Sequence, residues 1–111
     1  MIDNIKIIHL KSNAQNLESW NAYDISTNEI IGHIFMSFEI GNKIKFMDAW
    51  VCNNYRRMGL FRLLWDARWQ YVNENYKGFK VYAWCKENSL SLLVEKGFET
   101  GEVATYVEKI I

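Results

Sequence analysis

The sequence predicts one α/β domain, of the α+β kind, built on a single mixed, mostly antiparallel sheet of about six strands with a central β-α-β crossover. Its 111 residues match the size of one compact domain, so we assign residues 1–111 to it. Four strand-like runs precede the first helical pattern. Another strand-like run follows that pattern directly, which predicts a crossover between two parallel strands.

The first half of the chain is expected to form an antiparallel sheet. Runs rich in β-branched and aromatic residues, separated by polar turns, predict strands at Ile5 to Leu10, Trp20 to Ile25, Ile30 to Ile40 and Lys43 to Cys52. The pair Gly41 and Asn42 indicates a two-residue hairpin turn, which requires positive φ. Alternation in the fourth run places Phe46, Asp48 and Trp50 on one face. Both faces of that run are largely apolar, so we expect it at the centre of the sheet.

After Tyr55 the apolar pattern changes to a helical period. The predicted buried face of the helix consists of Leu60, Leu63, Leu64, Ala67 and Tyr71. We expect this helix to end near Tyr76, with Gly78 in the left-handed conformation beyond it. A strand from Phe79 to Cys85, a short helix from Asn88 or Ser89 to Gly97, and a last strand from Val103 to Ile111 complete the prediction.

Composition excludes several classes of function. Thirteen Lys and Arg residues balance 13 Asp and Glu residues, so no net positive field favours nucleic acid or an anionic membrane. Cys52 and Cys85 lack the spacing of metal ligands, so no metal site is expected. Charged residues interrupt the N-terminal apolar run, which argues against a signal peptide or a spanning helix. We expect a reduced, cytoplasmic protein and leave its oligomeric state open.

The segment around Gly59 has the features of a small anion-binding site. It connects the fourth predicted strand to the helix, and the first turn of a helix presents unpaired N–H groups and a partial positive charge. Gly59 lacks the Cβ that would keep a ligand away from those groups, and Arg56, Arg57 and Arg62 add charge. Hydrogen bonds to a charged group contribute about 1.5 to 3 kcal/mol each, so a few amides suffice for micromolar binding.

The order Arg56-x-x-Gly59-x-Phe61 resembles the acetyl-CoA signature of the GNAT superfamily of N-acetyltransferases, which reads Arg or Gln, any two residues, Gly, any residue, then Gly or Ala. Asn88 and the run Glu95 to Phe98 resemble the second landmark of that family. The resemblance extends from about Trp20 to the end of the chain. It implies a compact member without the usual N-terminal helix pair, because Lys11 to Ser19 is too short for two helices.

The resemblance implies that acetyl-CoA is the cosubstrate and that an amine attacks its thioester directly. It assigns backbone groups of Trp50 and Val51 to the pantetheine arm and Asn88 to a hydrogen bond with it. A backbone N–H of the central strand would hold the oxyanion. The residues assigned to the pyrophosphate are Arg57, Met58, Gly59, Leu60, Phe61 and Arg62, and Arg56 is also expected to bind the cofactor. An acceptor side without helices fits a protein lysine or a terminal amine.

Three departures from the family pattern concern the chemistry. Phe61 stands where the family has Gly or Ala, so its ring must turn away from the phosphates. Leu93 replaces the usual tyrosine general acid, and Tyr106 or Cys85 are the stand-ins. Asp48 is the candidate general base, but it is equally explained as a solvated or paired carboxylate, with solvent taking the proton. A non-catalytic GNAT-fold module that binds CoA or a protein partner stays the alternative function.

Overall fold

The computed structural model describes residues 4–12, 14–84, 92–100 and 106–111, with the backbone alone at Asp48. Within these residues the chain forms seven strands in one sheet and one long helix, α1, at Leu60–Asn75. The strands are β1 Ile5–Ser12, β2 Leu17–Asp24, β3 Ile30–Glu39, β4 Lys43–Val51, β5 Lys80–Trp84, β6 Glu99–Thr100 and β7 Tyr106–Ile110. A 3₁₀ turn spans Asn53–Tyr55, and residues 92–95 are helical.

The sheet confirms the predicted fold class. Its order is β1-β2-β3-β4-β5-β7-β6, so β4 is the central strand, as the apolar character of both its faces predicted. The pair β4 and β5 is parallel and flanks α1 in sequence, while all other neighbouring pairs are antiparallel. The prediction lacked β6, a two-residue edge strand too short to leave a periodic pattern.

Turn residues set the strand connections. Gly41 and Asn42 both have positive φ, 89° and 57°, which confirms the predicted hairpin between β3 and β4. Part of the segment Lys11 to Ser19, expected between the first two strands, is itself strand, because Lys11 and Ser12 pair with Glu18 and Leu17. This tight hairpin leaves no room for helices between β1 and β2. The predicted starts of the short helix and of the last strand lie outside the described residues.

The helix α1 packs on one side of the sheet, which we call the covered face. Its buried side chains are Leu60, Leu64, Trp65, Arg68 and Val72. The prediction that Leu63 is buried was wrong, since 47% of it is exposed. Burial instead recurs every four residues from Leu60, and Trp65 takes the contact with Phe46 of β4. Apolar residues also lie on either side of this buried row of α1. The helical period alone therefore does not determine which side of the helix faces the sheet.

A buried cation lies between α1 and the sheet. The Arg68 guanidinium lies 3.7 Å from the Phe46 ring centroid and donates to the Phe35 carbonyl at 2.8 Å. No described residue accepts a hydrogen bond from its Nε. Burial lowers the pKa of Arg68 well below its ordinary value. Stacking and the single carbonyl bond therefore hold this side chain in the core.

Strand β4 contains a β-bulge that corrects the predicted alternation. Phe35 pairs with Met47 and His33 with Trp50, so β4 has one residue more than β3 over this interval. Phe46 contacts α1 on the covered face, whereas Trp50 contacts His33 on the opposite face. Phe46 and Trp50 therefore do not share a face, because the extra residue inverts the alternation.

The opposite side of the sheet, which we call the open face, carries no helix among the described residues. Helical residues 92–95 contribute Leu92 and Leu93 to the same core as α1. The open face presents two exposed tryptophans, Trp50 and Trp84, at 41% and 56% exposure. In the described part of the chain, no helix is long and apolar enough to cross a membrane.

Candidate functional site

Among the described residues, the two parallel strands pair along only part of β4. The pairing of β4 with β5 runs from Lys43 and Lys80 to Phe46 and Ala83, and β4 then continues to Val51 with no described strand on this side, which we call the gap. On its other side β4 stays paired with β3 as far as Val51 and Gly32. The end of β4 therefore offers backbone groups to an extended ligand, in the manner of an added strand. The bulge lies within this unpaired stretch, where such irregularities re-aim backbone and side chains.

The start of α1 presents free amides beside the gap. Gly59, the N-cap, has φ 84° and ψ 4°, and it is followed directly by the helical Leu60. A left-handed residue followed by a right-handed one makes successive N–H groups converge in an anion-binding nest. The first intrahelical bond of the ladder runs from the Leu63 N–H to the Gly59 carbonyl at 3.1 Å. The amides of Leu60, Phe61 and Arg62 therefore have no partner in the helix.

The space beside Gly59 is open. A Cβ placed on Gly59 would meet no atom of a described residue within 4 Å. Leu60 is buried at 1% exposure, and the Phe61 side chain is partly buried against the core. The ring of Phe61 thus packs inward, and the chain accommodates it at a position where the family has a small residue.

The segment between the end of β4 and the start of α1, which we call the corner, contains arginines, and two of the nearby arginines make hydrogen bonds. The Arg56 Nε donates to the Val51 carbonyl at 3.1 Å, so this side chain folds back on the end of β4. Arg62 pairs with Glu95 at 3.0 Å, and both side chains are exposed. Arg57 has φ 63°, a left-handed conformation that disfavours any residue with a Cβ. Charge and backbone strain are therefore concentrated between β4 and α1.

A hydrogen bond anchors the loop that leads to this corner. The Tyr55 hydroxyl donates to the Asp24 carboxylate at 2.7 Å, joining the 3₁₀ turn to the end of β2. Hydrogen bonds from Ser26 and from Tyr55 lower the pKa of Asp24 to about 2. The same contact with Asp24 raises the pKa of Tyr55. Nothing in the sequence pattern points to this pair, because its members are 31 residues apart.

Gly32 brings the helix start against the sheet. A Cβ on Gly32 would lie 3.1 Å from the Trp50 carbonyl oxygen, 3.2 Å from Leu64 Cδ1 and 3.3 Å from Leu60 Cδ2. These distances are tighter than ordinary van der Waals contact. The absence of a side chain at this one position therefore lets α1 begin directly beside the end of β4.

The predicted catalytic residues lie on different strands. Asp48 belongs to the bulged part of β4. Tyr106 is on β7, opposite Trp84 of β5, and its ring centroid lies 4.9 Å from that of Trp84. Burial, followed by the charge of Glu108, raises the pKa of Tyr106, so its hydroxyl keeps its proton at neutral pH. One strand separates Tyr106 from β4.

Of the second family motif, which consists of Asn88 and the run Glu95 to Phe98, the structure describes only the run Glu95 to Phe98. Leu93 is buried at 3% exposure. The Phe98 N–H donates to the Leu93 carbonyl and the Gly97 N–H to the Val94 carbonyl, both at 3.0 Å, with Gly97 at φ 93°. This pattern is a Schellman motif, and it confirms that the short helix ends at Gly97. Cys85 and Asn88 lie outside the described residues, and the described His, Cys, Asp and Glu side chains form no group suited to a metal ion.

Solved structures share this architecture. An acetyltransferase from Streptococcus agalactiae superposes with a TM-score of 0.73 at 10% identity, over 99% of this chain and 100% of its own. A GNAT family acetyltransferase from Elizabethkingia anophelis, solved with acetyl-CoA bound, has a TM-score of 0.66 at 19% identity, over 91% and 80% of the two chains. The chain has the GNAT acetyltransferase fold.

The GNAT fold is also that of the PaiA N-acetyltransferase from Thermoplasma acidophilum, solved in complex with coenzyme A. Here the TM-score is 0.65 at 16% identity, over 86% of this chain and 62% of that protein. No family model and no curated protein sequence matches the chain. The likeness therefore lies in the backbone architecture.

Proposed function

We propose that this protein is an acetyl-CoA-dependent N-acetyltransferase that passes an acetyl group to an amine. One observation carries the proposal: in the described part of the chain, the end of β4 has no partner strand on its β5 side, and the free amides of α1 lie next to it. Gly32 marks the meeting point, because its missing Cβ leaves room for both the Trp50 carbonyl and Leu60. An extended ligand with an anionic end fits this corner, its arm beside β4 and its anion at the helix start.

The residues present fit coenzyme A. The amides of Leu60, Phe61 and Arg62 begin α1 directly after Gly59, where a Cβ would meet no atom of a described residue within 4 Å. They suit the pyrophosphate, with Arg56 and Arg57 adding positive charge. Backbone groups of Trp50 and the Val51 N–H are assigned to the pantetheine arm, the Val51 carbonyl being bonded to Arg56, and Asn88 stays assigned to the arm by resemblance. Acetyl-CoA, when bound, supplies the acetyl group as an activated thioester.

The bulged stretch of β4 is suited to stabilise developing negative charge. Beyond Phe46, no described strand pairs with its backbone N–H groups on the β5 side. A preorganised N–H that faces an oxyanion lowers the barrier to acyl transfer. We assign this role to the stretch 47–50 and retain Asp48 as the residue that takes the proton from the amine. Tyr106 retains its proton and is the candidate donor to the leaving thiol.

The open face defines the acceptor side. The short β1–β2 hairpin supplies no helix to enclose a small acceptor. A large acceptor, such as a protein that presents a lysine or a terminal amine, needs no such enclosure. We therefore propose a protein or peptide amine as the acceptor class.

Calorimetry and a thiol-release assay test the proposed function. We expect acetyl-CoA to bind with a micromolar Kd, and free CoA to appear only when an amine acceptor is present. Mass spectrometry then identifies acetylated lysines or termini on candidate proteins. The proposal fails if the folded protein does not bind acetyl-CoA at millimolar concentration.

A non-catalytic CoA-binding module is the second candidate. The burial of Leu93 favours it, because the position of the family's tyrosine acid is filled by an apolar core residue. Binding of acetyl-CoA without release of free CoA, across a panel of lysine peptides and small amines, would select this candidate over the enzyme.

A further inference from the structure

A buried arginine contacts both strands that form the bulge. The Arg68 side chain lies between α1 and the sheet, and the residue is 3% exposed. Its guanidinium donates to the Phe35 carbonyl of β3 at 2.8 Å and lies 3.7 Å from the centroid of the Phe46 ring of β4. Phe35 pairs with Met47, the residue after Phe46, and this is the last regular pair before the extra residue of β4. Arg68 therefore contacts both strands at one end of the bulged interval.

The same helix also contacts the other end of that interval. Regular pairing has resumed there at Gly32 of β3, which pairs with Val51. A Cβ on Gly32 would lie 3.2 Å from Leu64 Cδ1, so Leu64 packs against this end. Leu64 precedes Arg68 by one turn of α1. Two successive turns of the helix therefore hold the two ends of the stretch 47–50, to which we assign the stabilisation of the oxyanion.

The stability of the core does not account for an arginine at this place. Among the described residues, none accepts a hydrogen bond from the Arg68 Nε. A buried charged group with an unpaired donor destabilises the folded state, and an apolar side chain of similar volume is often tolerated at least as well. Unsatisfied buried groups of this kind are accepted at functional sites. The presence of a guanidinium beside the bulge therefore indicates a role other than stability.

We propose that Arg68 is a positioning residue for acetyl transfer, which fixes the bulge of β4 in the conformation that directs a backbone N–H toward the oxyanion. This inference rests on the proposed function. A bulge interrupts the hydrogen-bond ladder, so its peptide groups move more freely than those of a regular pair. The guanidinium restricts this freedom because it binds the Phe35 carbonyl and stacks on Phe46. A displacement of about 1 Å at a catalytic group can lower the rate about 100-fold, so the restraint affects the reaction.

Hydrogen exchange in the free protein tests the positioning role without relying on acetyl transfer. Arg68→Met keeps a side chain of similar length but removes the hydrogen bond to the Phe35 carbonyl. Measured by NMR on the full chain, the protected amides among residues 47–50 should exchange about tenfold faster in this variant, because the bulge opens more often. The amides that pair β1 with β2 should keep rates within about twofold of the parent. Unchanged exchange at residues 47–50 would overturn the inference.

Kinetics test whether the restraint affects the reaction. With acetyl-CoA and a lysine peptide that the parent protein acetylates, kcat of Arg68→Met should fall about 10-fold to 100-fold. The Kd for acetyl-CoA should stay within about twofold of the parent value, because the amides at the start of α1 are unchanged. Arg68→Lys keeps a donor for the Phe35 carbonyl and should be at least about threefold more active than Arg68→Met. An unchanged kcat in Arg68→Met, or a lysine variant no more active than it, would refute the positioning role.

A second core substitution on α1 separates positioning from a loss of stability. Val72 is fully buried and lies one turn beyond Arg68, farther along the helix from the bulge. Val72→Ala leaves a cavity, so its Tm should fall while kcat, measured well below that Tm, stays within about twofold of the parent. Arg68→Met should keep a Tm at or above that of the parent. Equal losses of kcat in the two variants would mean that kcat follows core stability, and the inference would be wrong.

The outcome is separable from that of the proposed function. If acetyl-CoA binds and amines are acetylated but Arg68→Met keeps its kcat, only the role of Arg68 is refuted. If acetyl-CoA does not bind to the parent protein, the proposed function fails, and the inference that rests on it fails with it.

Discussion

The most informative perturbation of the candidate site is Gly59→Ala. Gly59 has φ 84°, and none of the described residues places an atom within 4 Å of its missing Cβ. The change therefore creates no clash in the free protein. It costs conformational energy, and it places a methyl group in the space that the proposed pyrophosphate occupies.

A matched control separates these two effects. Gly41 has φ 89° and equally open surroundings, but it lies in the hairpin at the opposite end of β4. A left-handed alanine costs about 1 to 2 kcal/mol, so both variants should lose similar stability. For a chain of 111 residues, about 1 kcal/mol corresponds to roughly 4 °C in Tm. We expect both Tm values to fall by about 4 to 8 °C.

Binding should respond differently. Each amide lost to a charged ligand removes about 1.5 to 3 kcal/mol, so Gly59→Ala should raise the Kd for acetyl-CoA by about 10-fold to 100-fold. Gly41→Ala should leave the Kd within about twofold of the parent. Calorimetry well below both melting temperatures supplies the comparison. Equal effects of the two variants on the Kd, or none at Gly59, would refute the assignment of the pyrophosphate to these amides.

Three further changes address the elements that form this corner. Gly32→Ala brings a Cβ to 3.1 Å from the Trp50 carbonyl oxygen. Urea unfolding should therefore show a free energy of unfolding lower by about 1 to 3 kcal/mol, and acetyl-CoA should bind more weakly. Unchanged stability would contradict the close approach of α1 to the sheet. Arg56→Leu should weaken acetyl-CoA binding about 3-fold to 30-fold and flatten its salt dependence, and an unchanged salt slope would exclude a contact with phosphate. Tyr55→Phe removes a hydrogen bond from Asp24, whose folded pKa is about 2 against an ordinary value of about 3.9. A carboxyl group whose pKa is lower in the folded than in the unfolded state stabilises the folded state at pH values above the unfolded-state pKa. The difference in stability between the parent and Tyr55→Phe should therefore be full above about pH 4 and vanish toward pH 2. A difference that does not depend on pH would contradict an origin in the Asp24 carboxylate.

The sequence determined the features that depend on local chemistry. Gly41 and Asn42 adopt positive φ because glycine and asparagine tolerate it better than other residues do. The hairpin that they form fixes how β3 and β4 pair. Gly59 opens α1 for the same reason. The change of period after Tyr55 marked the strand-to-helix switch, and hence the parallel pair and the fold class. The candidate anion site was predictable because all its residues are consecutive.

Only the tertiary structure decided the features that depend on register and rotation. The extra residue of the bulge in β4 puts Phe46 and Trp50 on opposite faces, contrary to the predicted alternation. The sequence did not reveal it, because a bulge is defined only by the pairing with the neighbouring strand. Leu63 lies outside the buried side of α1. Apolar side chains on either side of the buried row would allow several orientations of the helix about its axis, so the sequence pattern does not select one. The contact between Tyr55 and Asp24 joins residues far apart in sequence, which no local pattern encodes. Local propensity thus specified which elements form, and long-range packing specified which of their faces meet.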